Sequence, residues 1–249
     1  MKYPELEVCA GSVASVKAAA EGGAGRVELC AALDEGGVTP SYGTMKRARE
    51  VKGININVLI RPRGGDFVYT EDEIRVMEED IIIARELGMD GVVIGALLPD
   101  GKIDINTCHR LIACAGDMNV TFHRAFDMCC DPSSALEDII SMGCDTLLTS
   151  GQAGSAFEGI DMLRSLCEQS RGRICIMAGS GVNSGNAAVI SSETGCPTLH
   201  ASARKSVSGR MEYRREGVSM GTPGADEFSI METSADEVRK IIDSIKLNR

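Results

Sequence analysis

Two glutamates, two cysteines, an arginine and two histidines would share one interior if this chain alternates short strands with helices: Glu7, Cys9, Glu28, Cys30, Arg61, His123 and His200. Carboxylates and imidazoles in mutual reach do acid and base work, because each shifts the proton affinity of its neighbours. Arginines beside them suit two-pronged recognition of a carboxylate or phosphate. One stretch raises a different chemistry: VTFHRAFDMCC, residues 120–130, ends on adjacent cysteines in a chain with ten cysteines and three histidines. A soft-metal site there is disfavoured, since neighbouring side chains diverge and Asp131-Pro132 starts a helix directly afterwards. Cys129 and Cys130 are expected to pack.

The elements that must position these residues form a series of eight. Apolar runs at 5–10, 26–30, 56–63, 91–98, 119–127, 146–151, 173–181 and 197–204 start 21 to 35 residues apart, the length of a strand plus a helix. Between them lie helix starts: Thr70 with Glu73, Ser155 with Glu158 and Ser234 with Glu237 fit capping boxes, and Asp131 precedes Pro132. Eight alternations predict a closed (β/α)8 barrel with a parallel sheet, a single domain over 1–249. Residues 205–233 show no period and are expected to be an irregular lid or contact segment before the last helix.

Strand parity sorts the side chains. Leu6 and Val8, Val27 and Leu29, Val58 and Ile60, Val120 and Phe122, and Ile174 and Ile176 should face the helices. The opposite set then points inward: Glu7 and Cys9, Glu28 and Cys30, Asn57 and Arg61, Thr121 and His123, Thr149, His200 and Ser202. Charged groups inside a barrel cost several kcal/mol unless paired, so this set either lines a site or forms an internal salt-bridge network. As a site, it assigns Glu7, Glu28, His123 and Arg61 to catalysis. Gly179 and Gly181 of MAGSGV, with His200, Ser202 and Arg204 of HASAR, follow strands seven and eight, where barrels commonly bind anions. Arg63 of RPRGGDF and Arg124 at the end of strand five are further anion ligands, although the arginine pair could equally neutralise the glutamates.

Composition narrows the partners. A net charge of −10 and a pI near 4.9 argue against nucleic acid and anionic membranes, because both require a basic face. The start MKYPELEVCAG lacks the form of a signal peptide, so a cytoplasmic protein is expected. There is no C-x-x-C to suggest an iron–sulfur cluster, no dinucleotide fingerprint, and no inward lysine for Schiff-base or pyridoxal chemistry. The remaining partner is a small ion or small molecule.

With ELEVCA, RVELC, EGGVTPSYG, RPRGGDFVY, DGVVIGAL, VTFHRAFDM, LTSGQA and HASAR in order from about residue 5 to 214, the chain resembles the CutC copper homeostasis family. MAGSG departs from a more proline- and glycine-rich form of its loop. The resemblance implies a cytosolic (β/α)8 barrel, a homodimer or higher assembly, and copper handling through Cu(I) held by Cys9 and Cys30. Those cysteines should lie on adjacent strands about 4.8 Å apart, staggered by roughly one residue, a spacing that suits a soft ion. The second reading is an enzyme, a metal-independent lyase, isomerase or hydrolase, using the acidic, histidine and arginine interior on a small anionic metabolite.

Overall fold

Each strand is four or five residues long and apolar on the helix-facing side, and together they close a barrel in chain order. The strands are β1 (Leu6–Ala10), β2 (Arg26–Leu29), β3 (Asn55–Leu59), β4 (Gly91–Ile94), β5 (Asn119–Phe122), β6 (Thr146–Thr149), β7 (Cys175–Gly179) and β8 (Thr198–Ala201). All pairings are parallel, and β8 returns to β1 through Leu6 opposite Leu199. The computed structural model describes residues 6–215, 217, 218, 220 and 226–246.

The outer ring is α1 (Val13–Gly22), α2 (Tyr42–Ala48), α3 (Glu71–Glu86), α4 (Ile105–Ala115), α5 (Pro132–Ser141), α6 (Ile160–Ser170), α7 (Ala187–Thr194) and α8 (Ala235–Lys246). Val8, Val27, Val58, Phe122 and Ile176 lie in the layer between sheet and helices. Fully burying such a side chain contributes about 1.5–3 kcal/mol, so this layer holds the ring to the barrel. Local signals fix the helix starts. The Thr70 hydroxyl accepts from Glu73 N while the Glu73 carboxylate accepts from Thr70 N at 2.8 Å, completing the capping box of α3. Asp131 accepts from Ser133 N and Ser134 N ahead of Pro132 in α5.

Ser155 also accepts from Glu158 N, yet it caps only a turn, and α6 begins at Ile160. The chain first crosses the end of β6, where Gly159 lies so close to Ser150 and Gly151 that no side chain fits. The stretch 205–233 differs from the expected irregular segment at its ends. Residues 204–208 and 229–233 pair as an antiparallel ribbon, β9 (Arg204–Ser208) with β10 (Ser229–Thr233). Both strands are largely solvent-facing, so neither carries the alternation that marks a half-buried strand. Positions 216, 219 and 221–225 of this stretch lie outside the described residues. The ribbon is rooted beside the barrel: Thr233 Oγ1 donates to Ser202 O, and Thr233 N to Ser15 Oγ.

Candidate functional site

The floor of the barrel is a buried ion network whose centre is Glu7. Its register places Arg26 directly alongside on β2 and His200 directly alongside on β8. Arg26 Nε donates to Glu7 Oε2, and His200 Nδ1 lies 2.9 Å from Glu7 Oε1. Burial favours a neutral Glu7, but the Arg26 and His200 charges outweigh it and hold the carboxyl below its ordinary range. Burial likewise opposes a charged His200. Hydrogen bonds to Cys9 and Glu7 and the charge of Glu28 overcome that, so its pKa is raised well above 6.5 and it remains an imidazolium. Arg26 is missing from the sequence prediction although it shares the parity of Glu28 and Cys30; that parity was the available signal. It is Arg26, and neither Arg61 nor Arg63, that neutralises the buried glutamate.

Above this network sit the thiols. Cys9 Sγ lies 3.6 Å from Cys30 Sγ and 3.7 Å from Glu28 Oε1. In register Cys9 is opposite Glu28, so Cys30 stands two residues further along, a larger stagger than expected. Strand tilt in a closed barrel still brings this diagonal pair together. The hydrogen bond to Cys30, burial and the Glu28 charge all push the Cys9 thiol well above its ordinary pKa. Burial also raises Glu28; His200 opposes the rise and Glu7 adds to it. The two sulfurs would hold a soft ion between them, and the Glu28 carboxylate, within 4.8 Å of both sulfurs, could serve as a third donor. The donor set fits a soft ion in its sulfurs and is harder in its third member.

Cys9 and Glu28, but not Cys30, open onto a chamber of about 300 Å³ at the carboxyl ends of the strands, the catalytic end of this architecture. Its wall includes Arg61, Phe67, His123, Arg124, Gly181, His200, Ser202 and Arg204. His123 Nδ1 accepts from Ala125 N at 3.1 Å, which leaves the ring proton on Nε2. Burial, then repulsion from Arg61, depress its pKa to about 3, so the ring is neutral at pH 7. The acid/base role expected of His123 does not suit this state; the ring is a hydrogen-bond donor. Nε2 is buried with no partner among the described residues, as are Glu28 Oε2 and Arg204 Nε. Gly95 makes the ring's position possible: a methyl there would lie 2.5 Å from His123 Nδ1. The sequence reading missed Gly95, because nothing local marks a glycine that makes room for another strand's side chain.

Other predicted positions fall differently. β3 ends at Leu59, so Arg61 lies in the following loop, where it donates to the carbonyls of Glu35, Gly37 and Gly65 and only borders the chamber. Arg63 points away from the chamber, paired to Glu73 at 2.5 Å and Asp66 at 3.1 Å. Arg124 pairs with Asp127 at 2.7 Å and donates to Ser150, pinning the rim between β5 and β6. Gly179 is a packing glycine, because a methyl there would lie 2.5 Å from Leu148 Cδ1. α7 begins only at Ala187, so Gly181 lines the chamber from a loop and not from a helix start. On β6 it is Leu148 that lines the chamber, whereas Thr149 donates to Asp127 Oδ1. Cys129 is buried in the outer core and Cys130 is exposed. A second thiol pair, Cys167 and Cys196, also lies at 3.6 Å, outside the barrel, but no third metal-ligating side chain accompanies it among the described residues.

Comparison with known proteins places this site in company. The CutC family model matches residues 4–205. A CutC family protein of Chromobacterium violaceum is 52% identical over 96% of this chain and 97% of its own length. One from Bacteroides thetaiotaomicron is 50% identical over 99% and 100%. Among solved structures, a CutC protein of Streptococcus agalactiae, provisionally named for copper homeostasis, is similar with a TM-score of 0.77 and 36% identity, covering 80% of this chain and 99% of that one. A thiamine phosphate pyrophosphorylase from Pyrococcus furiosus shares the fold at 17% identity and a TM-score of 0.60.

Proposed function

This chain belongs to the CutC family, and on that premise we propose that it handles copper by binding Cu(I) between Cys9 and Cys30. The observation that carries the reading is the pair of buried sulfurs 3.6 Å apart, one of them opening on the chamber through which an ion would arrive. Soft thiolates select Cu(I) among the available ions, and Glu28 completes the donor set. Binding expels the proton that the buried Cys9 thiol holds tightly, so affinity rises with pH. The reading needs a reducing compartment to keep the thiols free, hence the cytoplasm. None of the described helices is long and apolar enough to cross a membrane. A homodimer belongs to the same reading, and sedimentation measures it.

Titration of the reduced protein with Cu(I) against a chromophoric chelator tests the site. Cys9→Ser with Cys30→Ser should weaken binding at least about 100-fold, the loss of two soft ligands. Cys167→Ser, which breaks a pair of the same spacing, should change nothing. Unchanged affinity in the Cys9/Cys30 variant refutes the assignment.

A further inference from the structure

The chamber above the thiols carries features that copper does not use. Copper needs Cys9, Cys30 and at most one oxygen of Glu28. The other oxygen, Glu28 Oε2, is buried and unpartnered among the described residues. So is His123 Nε2, on a side chain only 5% exposed. Arg204 Nε is buried without a partner too, although its Nη1 lies 3.5 Å from the exposed Asp34. A protein does not leave such groups unmet at one cavity without cost, about 1–3 kcal/mol for each.

Their arrangement says what would satisfy them. In the closed strand order β4 lies opposite β8. His123, just past β5, and Arg61, just past β3, flank that far side, while Arg204 follows β8. The chamber therefore has a hydrogen-bond donor backed by a guanidinium on one side, a second guanidinium on the other, and a carboxyl oxygen between them at the floor. In a chain of net charge −10, this concentration of arginines is local and focuses anions inward. About 300 Å³ holds roughly ten atoms of water size. Phe67 and Leu148 supply apolar wall for a carbon skeleton.

We propose that the chamber binds a small hydroxydicarboxylate, with one carboxylate at Arg204, the other at His123 and Arg61, and the hydroxyl at Glu28 Oε2. A phosphate is a poorer match, because Gly181 lines the chamber from a loop and offers no helix start. This site adjoins the thiol pair, sharing Glu28 with it through opposite carboxylate oxygens, and does not depend on copper being bound.

Calorimetry on the metal-free, reduced full-length protein tests it, with malate and tartrate as probes and succinate, lactate and inorganic phosphate as comparators. Malate or tartrate should bind saturably, while succinate (no hydroxyl) and lactate (one carboxylate) should each bind about ten-fold more weakly, the worth of one charged hydrogen bond. Arg204→Gln and His123→Gln should each weaken malate at least about ten-fold. Cys30→Ser, which removes a copper ligand that does not line the chamber, should leave it unchanged, which separates this site from the copper reading. The proposal is overturned if no probe binds at millimolar concentration, if phosphate displaces malate at equal concentration, or if the cysteine variant loses binding. It is equally overturned if Arg204→Gln and His123→Gln keep both their thermal midpoint and wild-type affinity; Arg204, partly exposed at the ribbon root, is the substitution least tied to folding.

Discussion

Acidification from pH 7 to pH 5 protonates an imidazole in water but leaves His123 neutral. Its folded pKa is about 3, depressed by burial and by Arg61, against an ordinary 6.5. The unfolded chain therefore binds the extra proton and the folded one does not, so stability falls as pH falls. The contribution is complete above pH 6.5 and is lost progressively down to about pH 3. At 1.36 kcal/mol per unit, the loss between pH 7 and pH 5 comes to about 2 kcal/mol. Little solvent screening reduces it, because the residue is only 5% exposed. His200, whose pKa is shifted upward, acts with the opposite sign, its stabilisation being lost as pH rises, and that effect is common to wild type and variant. Urea unfolding of wild type and His123→Gln at both pH values isolates the term as the difference of two differences. Nitrogen shifts of the ring should report an Nε2–H tautomer that does not titrate between pH 5 and 8. Equal pH dependence in the two proteins, or an imidazole with a midpoint near 6.5, refutes both the neutral state and its role as donor.

Two further outcomes test the frame around the site. Glu7→Gln removes the carboxylate shared by Arg26 and His200 and leaves two buried cations with only Glu28 nearby to balance them; a loss of about 3–5 kcal/mol in urea unfolding is expected, and a loss below about 1 kcal/mol contradicts the network. Gly95→Ala places a methyl against the His123 ring, so about 1–3 kcal/mol should be lost together with the Nε2–H signature; an unmoved ring signal rules out the close approach.

The barrel and much of its interior were legible because parity is a strict code wherever the strand persists. Glu7, Cys9, Glu28, Cys30, His123 and His200 all lie on or immediately beside barrel strands and reach the interior or chamber as alternation requires. The code failed where the strand had already ended. Arg61, two residues beyond the last residue of β3, still reaches the chamber wall, but its guanidinium is held by the loop carbonyls of Glu35, Gly37 and Gly65, which counting by twos does not describe. It failed on β6 too, where Leu147 and not Leu148 belongs to the helix-facing layer, which turns Thr149 away from the chamber. From sequence, the pair Arg61 and Arg63 serves equally as anion ligands or as counter-charges to Glu7 and Glu28. Register decided otherwise, since Arg26 is the residue held beside Glu7, and register depends on barrel closure, which no local pattern contains.

The tautomer of His123 was beyond sequence for the same reason: it is set by one amide, Ala125 N, at the start of a short 3₁₀ turn. That amide also bears on whether the polar interior is merely structural. A salt-bridge network that only fixes a fold satisfies its own members, and Glu7, Arg26 and His200 do so. The groups above them do not: Glu28 turns one oxygen to Cys9 and leaves the other unmet, and Ala125 N commits His123 to offering a proton where no protein group receives it. A purely structural core has no reason to place an unmet acceptor and an unmet donor around one chamber, since apolar residues of the same volume would be at least as stable there. The division is between a floor in which Glu7, Arg26 and His200 satisfy one another and an upper layer in which Glu28, His123 and Arg204 line the chamber, each with one buried polar atom unpartnered among the described residues.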